Sequence, residues 1–182
     1  LAPRQKLPRP ETRLQALGLV QVRCAARKES LVASTTDVHD SPSFAEDLPA
    51  IARIHRHAFF TAMPHMPVLH TPEEDLVFYT NIVFTNAEIW LIEQADTVAG
   101  FIAFRPGWID HLYIHPDHQG RGLGSQLLVF AKSANHTLNL WTFQCNPRAR
   151  HFYEKHGFRV VQMTDGMDNE ERQPDRKSRA SC

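Results

Sequence analysis

Three glycines at alternate positions, Gly120, Gly122 and Gly124, stand where a strand-like run gives way to a helix-like one, in "HPDHQGRGLGSQLL" (residues 115–128). Glycine is used where the backbone must take positive φ or where another group must come close to it. At the start of a helix the first N–H groups lack intrahelical acceptors, and the helix dipole makes that end positive. Glycines there predict a seat for an anion, phosphate above all. Steric need in a tight turn is the competing explanation.

Two common phosphate cradles do not fit. The pattern G-x-G-x-G departs from the dinucleotide-binding G-x-G-x-x-G, and Gly124 is followed by Ser125 with no lysine for a G-K-[ST] loop. Metal chemistry fits no better. His111, His115 and His118 lie on a strand leading into a turn, which offers no common ligand face, and no cysteine or carboxylate cluster joins them. No metal is expected.

The elements that must position the glycines can be read on both sides of them. In "EDLPAIARIHRHAFF", Leu48, Ile51, Ile54, Ala58 and Phe59 recur at helical spacing, with Glu46 and Asp47 expected in the first turn. "TPEEDLVFYTNIVF" opens with Thr71 as N-cap, Pro72 and Glu74, a capping box. Between these helices "TAMPHMPVLH" is a loop carrying Met63, His65, Met66 and His70, either a substrate wall or a packed connector. Strand patterns follow at 87–94, 97–104 and 108–114, the first two joined across Ala95-Asp96. Gly100, inside the second, marks a bulge or a close backbone approach. Downstream come a strand at 138–143, a helix at 147–156 between Asn146 and Gly157, and a strand at 158–163.

With those elements in order, two motifs carry a family resemblance. "QGRGLG", Gln119 to Gly124, resembles the Q/R-x-x-G-x-G/A signature of the GNAT N-acetyltransferase superfamily, and "NPRARHFYEKHGF" is similar to its N-x-x-A-x-x-F/L-Y-x-x-x-G-F segment. With the preceding "LYIHPDH", which resembles the family's fourth strand and its Pro exit, they cover residues 108–158 in the family's order. The resemblance implies an α+β fold: a mixed, mainly antiparallel sheet of six to seven strands, with splayed central strands and flanking helices. It implies acetyl-CoA as co-substrate, its diphosphate on the amides of Gln119, Gly120, Arg121, Gly122, Leu123, Gly124 and Ser125. Main-chain contacts to the pantetheine arm fall to Leu112, Tyr113 and Ile114, and Asn146, Ala149 and Tyr153 complete the cofactor side.

The implied reaction is attack of a primary amine, on a small molecule or on a peptide or protein, directly on the thioester. Tyr153 matches the family's general acid for the leaving thiolate, against the alternative of a core aromatic beside Phe152. The base is less determined. His111, on the opposite strand face from Leu112, is the expected candidate because a histidine titrates near operating pH, and Asp110, His65 and His70 compete with it. A non-catalytic acyl-CoA-binding module is the alternative; it would keep the glycines but need no positioned acid. Trp90, Trp108, Trp141 and the Met/His loop hint at an apolar or aromatic amine, although tryptophans at strand positions are more often core.

Composition bounds the rest. Lys+Arg and Asp+Glu are both 20, so nothing calls for nucleic acid. No apolar run reaches the ~20 residues that cross a bilayer, so no membrane partner is expected. Cys24, Cys145 and Cys182 form no CxxC pair, and a cytoplasmic location is expected. Residues 1–36 read as a poorly ordered basic extension and 37–182 as the domain. "NEERQPDRKSRASC" is almost without apolar residues, so the last strand is expected to be missing or frayed. One substrate wall would then be left open, or completed by a second subunit in a homodimer.

Overall fold

The computed structural model describes residues 20–26 and 46–182. Its centre is a seven-stranded sheet in the order β1-β2-β3-β4-β5-β7-β6. The strands are β1 (Val20–Ala26), β2 (Glu88–Gln94), β3 (Thr97–Arg105), β4 (Trp108–Ile114), β5 (Thr137–Phe143), β6 (Arg159–Met163) and β7 (Asp175–Ser181). Every neighbouring pair is antiparallel except β4 and β5.

Helix α1 (Leu48–Ala62) covers one face of the sheet together with α2 (Pro72–Phe78), a π turn (Tyr79–Val83) and α3 (Phe84–Asn86). Ile51, Ile54, Tyr79 and Val83 are buried there against Ile89, Leu91, Phe101 and Ala103. The opposite face carries α4 (Leu123–Ala134) and α5 (Pro147–Lys155), with Leu127, Leu128 and Tyr153 against Ile92, Ile102, Leu138 and Leu140. Alternation along each strand sends successive side chains to these two cores. The capping box of α2 forms as expected: the Glu74 amide donates to Thr71, and the Thr71 amide donates to the Glu74 carboxylate.

Three expectations are corrected. The boundary after residue 36 leaves Val20–Ala26 outside the domain, yet these residues form edge strand β1, paired along β2 from Val20↔Gln94 to Ala26↔Ile89. Val20 and Val22 pack on the core while Arg23 reaches both the Asp47 carboxylate (2.7 and 2.8 Å) and Glu93 (2.8 Å). The remaining residues of the 1–36 extension lie outside the described residues. Asp47 therefore does not sit in the first turn of α1; it precedes the helix, makes no side-chain cap, and serves as Arg23's partner.

The last strand is present. β7 lies between β5 and β6, paired on both edges, with Arg176, Ser178 and Ala180 buried at alternate positions. Two ladders hold a segment that hydropathy alone would leave out. Its long side chains find partners for their charged ends: Lys177 Nζ lies 4.6 Å from the Trp108 ring, and the buried Arg176 donates to Glu154 of α5 at 2.8 Å.

Candidate active site

β4 and β5 share a single ladder pair, Trp108↔Asn139, and separate beyond it. From Asp110 to Ile114 the edge of β4 that faces β5 is open. β3 closes tightly on β4 from the other side, where a Cβ at Gly100 would come within 2.7 Å of the Tyr113 carbonyl oxygen. The separation opens a cleft of about 470 Å³.

One end of the cleft is the glycine loop. Gly120 and Gly122 take φ of 78° and 79°, and Gly122 is the left-handed N-cap of α4 without any side-chain cap. Ser125 and Gln126 return their N–H groups to the Gly122 carbonyl. The five amides from Gly120 to Gly124 find no acceptor among the described residues. No acidic residue lies in the first turn of α4. Gln119 donates to the Ile114 carbonyl at 2.8 Å and so fixes the loop to the end of β4. A run of free N–H groups on a positive helix terminus is an anion seat. The cleft's field agrees. Asp110 is the one carboxylate among its described lining residues, and Arg105 holds it at 2.6 and 2.7 Å, whereas Arg148 and Lys155 line the α5 wall.

The loop's third glycine differs from the other two. A Cβ at Gly124 would lie 3.4 Å from the Phe152 ring, in ordinary contact, so a methyl group fits here while a larger side chain would press on α5. Arg121 is the one expected cofactor residue that does not line the cleft; its guanidinium donates to Gln94 at 3.0 Å. His111, Leu112, Tyr113, Ile114, Gln119, Gly120, Gly122, Leu123, Gly124, Ser125, Asn146, Ala149 and Tyr153 all line it.

Asn146 caps α5, its Oδ1 accepting from the Ala149 amide at 3.0 Å. Ala149 and Tyr153, four residues apart, share the helix face turned to the cleft. The Tyr153 ring packs against Phe152 and Phe158 (centroids 5.2 and 5.4 Å), and the residue is 8% exposed. Its hydroxyl makes no hydrogen bond with a described residue. Burial, and secondarily the Tyr113 phenol, raise its pKa well above the ordinary tyrosine range. It is a neutral donor over the whole physiological range.

His111 lines the α1 side of the cleft, half-buried. Burial first, then the neighbouring His55, lowers its pKa to about 4, so it does not titrate near operating pH as expected; the imidazole is neutral at pH 7 but a weaker base than an ordinary histidine. Its Nδ1 lies 3.4 Å from the hydroxyl of Tyr79, which the π turn carries fully buried beneath the sheet. The competing bases are engaged elsewhere: Asp110 with Arg105, and His70 with Glu170 at 3.1 Å, while His65 does not line the cleft. His115 lies 3.1 Å from His57 Nδ1, and His118 lies 2.8 Å from Gln94. No group of three potential metal ligands occurs among the described residues.

His55 was not singled out from the sequence. It sits one helical turn from both Ile51 and Phe59, on the face α1 turns to the sheet, and that spacing was the available signal.

Comparison with known proteins agrees with the fold. Residues 85–160 match the family described as acetyltransferase (GNAT) domain. The peptidyl-lysine N-acetyltransferase YiaC of Escherichia coli (strain K12) is 29% identical over 77 residues, 42% of this chain and 53% of that protein. The peptidyl-lysine N-acetyltransferase YjaB of the same strain is 33% identical over 92 residues, 50% of this chain and 60% of that one. The chain thus matches only about half the length of these curated relatives. Among solved structures, apo-form YjaB from Escherichia coli aligns over 88% of this chain and 97% of its own, with a TM-score of 0.66 at 19% identity. YncA from Salmonella typhimurium, a putative acetyltransferase solved with its cofactor acetyl-CoA, aligns over 90% and 94% with a TM-score of 0.61 at 18% identity. At such identities the likeness is one of fold.

Proposed function

We propose, from the match of residues 85–160 to the family described as acetyltransferase (GNAT) domain, an acetyl-CoA-dependent N-acetyltransferase that moves an acetyl group to a primary amine by direct attack on the thioester. The observation that carries this reading is the run of free amides from Gly120 to Gly124 opening into a gap between β4 and β5 that Tyr153 faces. The amides accept the diphosphate. The pantetheine arm lies along the open edge of β4 at Leu112, Tyr113 and Ile114, using main-chain groups that would otherwise be buried without partners. An N–H on that edge stabilises the oxyanion as the amine attacks.

Two protons must move. For a lysine-like amine with a pKa of ~10.4, losing the first at pH 7 costs roughly 4–5 kcal/mol. His111, neutral at this pH, is the proton acceptor we assign on the α1 side. The second reaches the departing sulfur through the Tyr153 hydroxyl, which remains protonated at any working pH. The acceptor class is a lysine side chain of a peptide or protein. That choice is supported by the relatives' names and by the apolar wall of Ala58, Phe59, Ala62 and Met63, against which a tetramethylene stem packs well.

Calorimetric titration with acetyl-CoA, followed by product analysis with lysine peptides and free amines, tests the proposal. Binding with turnover of a lysine peptide is the expected result. Binding without transfer to any amine would make the protein an acyl-CoA-binding module.

A further inference from the structure

Two side-chain amides hold the glycine loop. Gln119 ties it to β4, and Gln94 of β2 ties it from the other side. Gln94 Oε1 lies 2.8 Å from His118 Nδ1 and accepts from Arg121 at 3.0 Å. Arginine can only donate, so the amide atom that faces it must be the oxygen. The same oxygen faces His118, so His118 Nδ1 must carry a hydrogen. One carbonyl oxygen thus grips the residue that precedes the loop and a residue inside it.

Gln94 is a firm anchor. It is the last residue of β2, half-buried, and is paired with Val20 on one side and Thr97 on the other. Its side chain lies on the strand face that Trp90 and Ile92 turn to α4, where Trp90 stacks on Phe130. The loop is less determined by its own residues. Gly120 and Gly122 have open space at their Cβ positions, and glycine has the widest backbone freedom of any residue. The five unpaired amides keep one direction only if contacts from outside the loop set it.

We propose that Gln94 is a positioning residue for the diphosphate: its carboxamide oxygen latches His118 and Arg121 and so holds the amides from Gly120 to Gly124 aimed into the cleft before the cofactor arrives. The inference rests on the transferase reading above. It also accounts for Arg121, which belongs to the motif and yet does not line the cleft: its guanidinium is a strut of the loop. Preorganisation raises affinity by removing the entropy lost when a loop is ordered on binding. Gln94 itself does not line the cleft, so its effect is confined to what the amides hold.

The test compares acetyl-CoA with S-acetylpantetheine, which carries the thioester arm but neither diphosphate nor nucleotide, on wild type and Gln94→Met. Methionine keeps the side-chain length and puts a weak acceptor in place of the carbonyl. Calorimetric affinity for acetyl-CoA is expected to weaken on the order of tenfold, and its KM to rise in step. The kcat, the KM of the amine and the kcat/KM with S-acetylpantetheine should stay at wild-type values. In the ligand-free variant, 15N relaxation should show lower order parameters at Gly120 and Gly122 and unchanged ones through α4. Unchanged acetyl-CoA affinity in the folded variant overturns the latch, and so does an equal loss with S-acetylpantetheine.

A wild type that binds no acetyl-CoA overturns the transferase reading. The latch then stands or falls on the relaxation comparison: lowered loop order supports it, and unchanged loop order overturns it. If Gln94→Met does not fold, the 15N shifts of the wild-type His118 ring decide. A hydrogen on Nδ1 supports the latch, and a bare Nδ1 overturns it.

Discussion

Gly124 faces Phe152 across the gap between α4 and α5: a Cβ placed on Gly124 would lie 3.4 Å from the ring. Gly122, two residues earlier, has open space around its Cβ position but φ of 79°. The two positions therefore resist a branched side chain for different reasons. Gly124→Val should lower thermal stability by displacing Phe152. Gly122→Val should keep the fold but strain a left-handed cap, at roughly 1–2 kcal/mol. Relief of that strain reorients the loop amides, so acetyl-CoA affinity should fall in folded Gly122→Val. Calorimetry and thermal melts of the pair separate the effects; unchanged affinity in Gly122→Val would locate the diphosphate elsewhere.

Tyr153→Phe removes one oxygen and almost no packing. The hydroxyl holds no structural hydrogen bond with a described residue, so stability and acetyl-CoA affinity should change little. Turnover should fall ~10²-fold or more if the phenol supplies the thiolate's proton. Single-turnover kinetics with a lysine peptide, where chemistry limits the rate, is the measurement. Full activity would remove Tyr153 from the reaction.

Glu154 binds the buried Arg176, and that hydrogen bond first of all lowers the carboxyl's pKa. A carboxyl depressed in the folded state contributes stability above its unfolded value, near 4.5, and that contribution is lost as pH falls through the lower folded value. Wild type should therefore lose more stability than Glu154→Gln between pH 5 and acid, in urea midpoints measured across that range. Parallel curves would mean that Arg176 draws its support from elsewhere.

His70 and Glu170 join the α1–α2 loop to the β6–β7 connection, and the Glu170 hydrogen bond raises the His70 pKa. The sign is opposite to that of Glu154. The contact is fully formed below the ordinary histidine value of 6.5 and weakens as pH rises through the higher folded value. In Glu170→Gln the His70 ring signal should titrate at lower pH than in wild type. An unmoved midpoint in NMR would show that the ion pair is not populated in solution.

Local chemistry was legible in the sequence, and long-range pairing was not. The Thr71–Glu74 capping box, the Asn146 cap and the positive-φ glycines each depend on a few adjacent residues, so their spacing was enough. β1 was hidden because its alternating Val20 and Val22 are flanked by arginines and lysine, and its stability comes from β2 and from Asp47. β7 was hidden because Arg176 and Lys177 have partners in α5 and β4 that no local pattern announces. Gly124 looked like its two neighbours in the loop, and only the approach of α5 distinguishes it. His55 was one of eleven histidines until α1 docked it beside His111.

The position of β7 also orders events in time. β2, β3 and β4 pair with their nearest neighbours in sequence, so their meander can assemble from local contacts. β5 and β6 cannot touch; each waits for β7, the last strand, to enter between them. Non-local pairing of this kind is slow. Folding should thus proceed from one side of the cleft to the other, with the β5 edge exposed to misassociation until β7 arrives. Pulse-labelled hydrogen exchange should find residues 88–114 protected before residues 137–143, and simultaneous protection would contradict this order.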